Sequence, residues 1–479
     1  MLFSSLIFLF AFLPAVLFLY FVVFRKRKAR NILLLLASLF FYAWGEPKFV
    51  FVMVLSIFVN YGLGLLVHRA NGVKKKERAV IVLTVILNLS LLVYCKYLDF
   101  AIININFLLG TDIALRNVVL PIGISFFTFQ AMSYVFDVHR GKGKVQKNPL
   151  NVALYISFFP QLIAGPIVRY ETIAEQIDDR KESMMLFSEG TKRFIIGLAK
   201  KVLLANSLAL VADKAFDMPE YSGLSSGFAL LGAITYTLQI YYDFSGYSDM
   251  AIGLGKMFGF QFLENFNYPY VSNSISEFWR RWHISLSTWF RDYVYFPLGG
   301  SRVSSKGRLV FNLFVVWTLT GIWHGASWNF VLWGLLYFAF ITFEKLTGIP
   351  NRFKNKGAKA AYRIFTLVIV VFGWILFRAV GMDGVTGYFE SLFHLNGNAL
   401  CDSQTLLYLR ENIFILVMAV IFAFPIAPKI RSQLDRALVS HKRLVGIDVM
   451  YYIVLILLFL VCVSYLVKGS YNPFIYFNF

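Results

Sequence analysis

Long apolar runs separated by short polar segments organise almost the whole chain. They fall near residues 3–24, 31–46, 48–68, 79–98, 117–138, 194–212, 225–244, 308–322, 327–344, 361–380, 412–428 and 447–467. Most approach the roughly 20 residues that an α-helix needs to cross a hydrocarbon core about 30 Å thick. A transmembrane barrel would instead show strands of about 10 residues with alternating polarity. The pattern predicts an all-α polytopic membrane protein of about twelve transmembrane helices, built as a single membrane domain over residues 1–479.

Two stretches break the pattern. Segment 149–168 is apolar but carries Pro160, Gly165 and Pro166, which predict a broken or re-entrant segment rather than a straight span. Segment 245–300 is too polar to span and too aromatic for a plain loop, with Trp279, Trp282, Trp289, Tyr293 and Tyr295 among Arg280, Arg281 and Arg291. Aromatic rings beside arginines favour a membrane–water interface. The expectation here is a set of short interfacial helices lining a cytoplasmic-side cavity. No internal repeat is visible, which weighs against an inverted-repeat transporter.

Composition agrees: of 479 residues, 58% are hydrophobic and only 15% charged, too few polar groups to cover a soluble protein of this size. The net charge of +20 is concentrated in short loops at 25–30, 69–78, 140–147, 302–308, 352–363 and 429–443. That placement is a topology signal, with basic loops cytoplasmic, and it excludes nucleic acid as the partner the charge serves. Loops near 97–116, 213–224 and 381–411 are less basic and are expected outside. The first apolar run starts at Leu2 with no basic residue before it and is followed by Arg25, Lys26, Arg27 and Lys28. A cleavable signal peptide has the opposite polarity. The run is therefore expected to be a retained span of a multi-pass protein in the cytoplasmic (inner) membrane, with both termini extracytoplasmic.

Candidate chemistry is sparse. Cys95, Cys401 and Cys462 form no ligand-spaced cluster, so no zinc site, disulfide or thiol chemistry is expected. Of six histidines, His68, His139, His394 and His441 fall in loops and are expected to be solvated. His324 lies in GIWHGA between two apolar runs, where an ionisable group is costly. The residues alone leave two readings open: a histidine hydrogen-bonded between helices, or a neutral imidazole acting as a general base. His283 lies in WRRWHIS. If that string is helical, Trp279, His283 and Ser287 share a face. His283 is then either part of an aromatic belt or a second catalytic or positioning group, with Arg280 and Arg281 available to grip phosphates. Tyr241, Tyr242, Asp243, Ser245, Tyr247 and Asp249 form a polar cluster expected to end a span, its carboxylates free to pair with an arginine or orient a histidine. The run Gly253–Lys256 lacks the spacing of a phosphate loop and is set aside.

Several strings together resemble the membrane-bound O-acyltransferase (MBOAT) family, and within it the bacterial alginate and peptidoglycan O-acetyltransferase membrane subunits. They are PIGISFFTFQ at 121–130, residues 161–166, YDFSGYSD at 242–249, ENFNYPY at 264–270, residues 277–302 and GIWHGASWNF at 321–330. The teichoic-acid D-alanyl transfer protein is similar too, although 296–302 and 326–329 look more like the acetyltransferase branch. The resemblance implies the MBOAT fold, a ring of transmembrane helices around a thin central floor. It implies His324 as the catalytic histidine and His283 as the other recurrent one. The implied activity is transfer of an acetyl group from a cytoplasmic thioester, acetyl-CoA or an acyl carrier protein, without a bound cofactor, to a secreted or cell-wall polysaccharide. A secreted SGNH-type acetyltransferase is the implied partner. The alternatives are D-alanyl or other acyl transfer from a carrier protein and, in another class, a non-catalytic transporter.

The C-terminal segment 468–479 ends in FIYFNF and is expected to be an extracytoplasmic tail that folds back on the protein. Its F-x-Y-x-x-F pattern resembles a motif of the D-alanyl system and of acetyltransferase relatives, which implies Tyr476 as a covalent acyl acceptor.

Overall fold

The computed structural model describes residues 1–163, 165–218, 221–437, 441–469 and 471–473. Tyr476 and the rest of the chain after Pro473 lie outside the described residues, as does the His441 side chain. Among the described residues every regular element is a helix. Seven are long and apolar enough to cross a membrane: Val50–Arg69, Lys74–Leu109, Met184–Phe216, Trp328–Thr347, Lys356–Arg378, Ser403–Phe422 and Gly446–Val467. The other expected spans lie on helices that are shorter or more polar, among them Arg27–Ala43, Ile124–His139, Ser226–Met257 and Lys306–His324.

Two boundaries differ from expectation. The segment 97–116 is no outer loop over most of its length, because the helix Lys74–Leu109 continues through it. At about 1.5 Å per residue its 36 residues extend well beyond a 30 Å core. The polar residues that suggested a loop are satisfied locally. Asn104 Nδ2 donates to the Phe100 carbonyl at 2.7 Å, and Asn106 Oδ1 accepts from Ile113 N at 2.9 Å just beyond the helix end. Gly110, at φ +64°, supplies the left-handed residue that stops the helix. The second difference is Ser226–Met257, which is one helix where a span was expected to end near 244. Residues 245–257 therefore extend that helix instead of forming separate interfacial pieces, and the Tyr241–Asp249 cluster is mid-helix.

The contacts divide the chain into two compact units. The first comprises Met1–Phe194 with Tyr247–Glu264. Its helices Val50–Arg69 and Lys74–Leu109 are tied by reciprocal hydrogen bonds between the buried amides of Asn60 and Asn88, 2.9 Å each way. On the outer side of Lys74–Leu109, Val82, Ile86 and Val93 are exposed, a surface suited to lipid. Segment 149–168 is not one span. Helix Pro149–Ser157 stops after 9 residues, and the buried turn that follows carries Phe158, Phe159 and Leu162. Gln161 holds that turn by donating to the Tyr155 carbonyl at 2.5 Å. Asp249 takes an arginine as partner, Arg193, at 2.8 Å, and the Glu264 carboxylate closes on the same guanidinium.

The second unit comprises Ile195–Gly246 with Asn265–Phe479. At its centre Lys306–His324 and Trp328–Thr347 form a helical hairpin. Gly321 and Gly334 let the two backbones meet: a Cβ on Gly321 would lie 2.5 Å from the Phe330 carbonyl, and one on Gly334 2.5 Å from that of Trp317. Small residues at a crossing are how membrane helices gain close packing. Around the hairpin stand Trp279, Trp282, Trp374 and Phe377, all buried.

Candidate active site

The second unit holds both histidines singled out by sequence, and each is buried. His324 is the last residue of Lys306–His324. Trp323, Trp333 and Phe377 meet its ring edge-on, at centroid distances of 4.8, 4.9 and 5.0 Å. The chain then turns at Gly325, where any side chain would collide with the Phe330 ring. Asn329 fastens this turn by donating to the carbonyls of Leu376 and Ala379, at 3.0 and 3.1 Å. Apolar rings and the C-terminal end of the helix, whose carbonyls carry partial negative charge, thus surround the imidazole.

His283 is reached differently. The helical face joining Trp279, His283 and Ser287 does not exist. Helix Ile275–Arg281 ends before His283, and a new helix, Ile284–Phe290, starts after it. His283 sits between them in the left-handed region, at φ +44°. The break is set by pairing with an upstream stretch: Asn267 N donates to the Arg281 carbonyl and Ile284 N to the Asn265 carbonyl, both at 2.9 Å. Helices surrender these bonds only when another partner takes them.

Asn265 also fixes the tautomer. Its Oδ1 accepts from the Ser285 backbone N–H at 3.2 Å and from Ser285 Oγ at 2.9 Å, and it lies 3.1 Å from His283 Nδ1. A backbone N–H can only donate, so this atom of Asn265 is the oxygen and His283 Nδ1 carries the hydrogen. Nε2 is then left with its lone pair, buried and without a hydrogen-bond partner. Burial lowers the His283 pKa to about 3, so the ring is neutral at physiological pH. Phe244 packs edge-on against it at 4.5 Å. The Trp323 ring approaches it at 6.3 Å, so one indole touches both histidines.

Arg280 and Arg281 close the helix that precedes His283. Arg281 pairs with Glu277 at 2.9 Å and donates to the Asn267 carbonyl at 3.1 Å, while Arg280 is exposed. Sequence reasoning missed Glu344, a buried carboxylate near the end of an apolar run. It accepts from the backbone N–H groups of Ile275 and Ser276, both at 2.8 Å, and from Tyr362 at 2.9 Å. In doing so it anchors the start of the helix that leads to His283, and an ionisable residue inside an apolar run was the available signal. Asp243, on the long helix, pairs with Lys201. His68, His139 and His394 are exposed.

The model of the membrane-bound O-acyltransferase family matches residues 36–381. Among similar proteins, one named "Probable alginate O-acetylase AlgI" from Pseudomonas putida is 38% identical over the whole of both chains. The peptidoglycan O-acetyltransferase of Helicobacter pylori is 36% identical, over 84% of this chain and 81% of its own. The teichoic acid D-alanyltransferase of Bacillus subtilis is 30% identical, over 55% of this chain and 69% of its own.

Proposed function

The chain belongs to the membrane-bound O-acyltransferase family, and on that premise we propose that it moves an acetyl group from a cytoplasmic thioester across the inner membrane for O-acetylation of a secreted or cell-wall polysaccharide. The pair of buried imidazoles sharing Trp323 carries this reading. His324 takes the proton of an attacking hydroxyl. The hydroxyl oxygen bonds to the thioester carbonyl carbon, the carbon–sulfur bond breaks, and the departing thiolate recovers the proton from the imidazolium. His283, with Nε2 as acceptor, orients the hydroxyl or the donor. The donor is acetyl-CoA, its phosphates met by Arg280 with Arg281 beside it; the competing donor is an acyl carrier protein. Acetylase relatives that align along most or all of the chain favour acetyl over D-alanyl transfer, since the D-alanyl relative aligns over 55%.

The first acceptor is Tyr476. A phenol ionises near pH 10, well below an alkyl alcohol, so a neutral imidazole activates it more readily. Its ester keeps a good leaving group. A secreted SGNH-type transferase then passes the acetyl to a polymer hydroxyl: the new ester bond forms, the aryl ester bond breaks, and the phenol regains its proton. Tyr476→Phe keeps the ring and removes the nucleophile. Polymer acetylation by membranes carrying this variant and the partner transferase is expected to cease while the protein remains folded in the membrane. Acetylation at the wild-type rate would show that Tyr476 is only an anchor.

A further inference from the structure

Three consecutive residues near the C-terminus are bound to a single helical run. Tyr471 Oη donates to Asp213 Oδ2 at 3.1 Å, Asn206 Nδ2 donates to Asn472 Oδ1 at 3.3 Å, and Lys201 Nζ donates to the Pro473 carbonyl. The order is inverted: as the terminal segment advances from 471 to 473, its partners step back from 213 to 201. The segment thus lies antiparallel to this run.

Lys201 is unusual among these partners. Its side chain is only 3% exposed and pairs at 2.5 Å with Asp243, itself 2% exposed. The two are brought together by a close helix crossing. Gly246, one turn beyond Asp243, has no side chain, and a Cβ there would stand 2.8 Å from the Gly197 carbonyl and 3.1 Å from Lys201 N. Residues Lys200–Ala205 are π-helical, a widened turn of a kind frequent at functional sites. A buried ion pair is a poor way to gain stability, because both charges must be desolvated. An ammonium nevertheless has three hydrogens to donate, and here it faces the Asp243 carboxylate as an ion pair while donating to the Pro473 carbonyl. Proline has no N–H, so its carbonyl is the one main-chain group it offers.

We propose that Lys201, held by Asp243, is the seat of the C-terminal segment and a positioning residue for acyl transfer. Its grip on Pro473 fixes where the last residues begin. The catalytic part of this rests on Tyr476 being the acyl acceptor: three residues of chain span at most about 11 Å, so the seat sets the reach of that phenol. The seat recognises a segment of this same chain, held through the Tyr471 hydroxyl, the Asn472 amide and the Pro473 carbonyl.

Disulfide trapping tests the seat without any acyl donor. In a full-length protein whose Cys95, Cys401 and Cys462 are replaced by serine, the pair Asn206→Cys and Asn472→Cys is expected to oxidise readily in membrane vesicles. Adding Lys201→Met together with Asp243→Asn removes both charges and strands neither. The initial cross-linking rate is then expected to fall at least about tenfold, the effect of losing a charge-assisted hydrogen bond. An unchanged rate would overturn the proposal. Because a core variant can misfold, Tyr471→Phe is the second probe. It leaves the buried pair intact and is expected to slow cross-linking about fivefold, and no slowing would count against the docked path. Positioning adds a kinetic signature: the double variant lowers kcat at unchanged KM for the thioester, and a raised KM at unchanged kcat would contradict it. Tyr476→Phe in the cysteine pair separates the two ideas. If it acetylates polymer normally while cross-linking still depends on Lys201, the relay fails and the seat stands. If cross-linking ignores Lys201 while Tyr476→Phe is inactive, the seat fails and the relay stands.

Discussion

His283 Nδ1 donates to Asn265 Oδ1 across 3.1 Å, and that bond leaves Nε2 as the basic nitrogen of a neutral, buried imidazole. The same oxygen holds the Ser285 backbone N–H, so the arrangement is locked to the main chain.

Removing the lock should be felt in catalysis before it is felt in the fold. Asn265→Ala is expected to cost about 100-fold or more in acetyl transfer, in the range for losing a correctly placed proton acceptor. Asn265→Asp is more informative. A carboxylate beside Nδ1 favours the imidazolium, so the His283 pKa rises from about 3 and the acid limb of the pH–rate profile moves to higher pH. A profile with its acid limb unmoved would show that His283 does not act through this nitrogen.

Acid sensitivity of the fold should trace to a different cluster, in the first unit. Glu182 accepts from Tyr20 and Arg27, both at 2.5 Å, with Arg30 at 3.2 Å and Arg180 at 3.8 Å from the same oxygen. Burial works to raise the Glu182 carboxyl, but the hydrogen bonds from Arg27 and Tyr20 override it and hold the pKa near 2, below the ordinary 4.5. A carboxyl depressed by folding adds stability that is complete above its unfolded pKa and is lost as pH falls through its folded one. The melting temperature in detergent is therefore expected to fall as the pH drops below about 4.5, and Glu182→Gln is expected to melt lower at neutral pH with a shallower acid slope. Parallel pH curves for the two proteins would place the acid sensitivity elsewhere.

Some of this was legible in the chain. The apolar runs marked the membrane helices, and the strings around His324 and His283 marked the residues that the second unit buries beside Trp323. Polar residues inside long helices were not legible. Asp243 and Asp249 read as the end of a span because their partners, Lys201 and Arg193, come from some 40 to 56 residues away in sequence. Asn104 and Asn106 read as loop because hydropathy counts an amide as polar even when it bonds to its own backbone. The string around His283 leaves a helix open, with no proline or glycine to signal a break. The break comes from backbone bonds to Asn265 and Asn267, which no local pattern encodes.

Orientation is open to direct labelling. Lys75 lies exposed in the first turn of Lys74–Leu109, within a basic loop, and Cys401 is exposed in the segment 381–411. The charge asymmetry predicts the first in the cytoplasm and the second outside. In intact cells an impermeant maleimide is expected to label Cys401 and to leave Lys75→Cys untouched until the membrane is permeabilised. The reverse pattern would invert the topology and bring both termini to the cytoplasmic side.

The role proposed for His324 is that of the base for acyl transfer. Its most direct test is transfer of labelled acetyl from acetyl-CoA by purified protein in proteoliposomes, comparing wild type with His324→Ala. The variant keeps the Gly321–Gly334 crossing and the Asn329 bonds that shape the turn, so its fold should survive and can be checked by melting. Transfer is expected to fall by at least about 100-fold. Transfer at the wild-type rate by a folded His324→Ala protein would contradict the assignment.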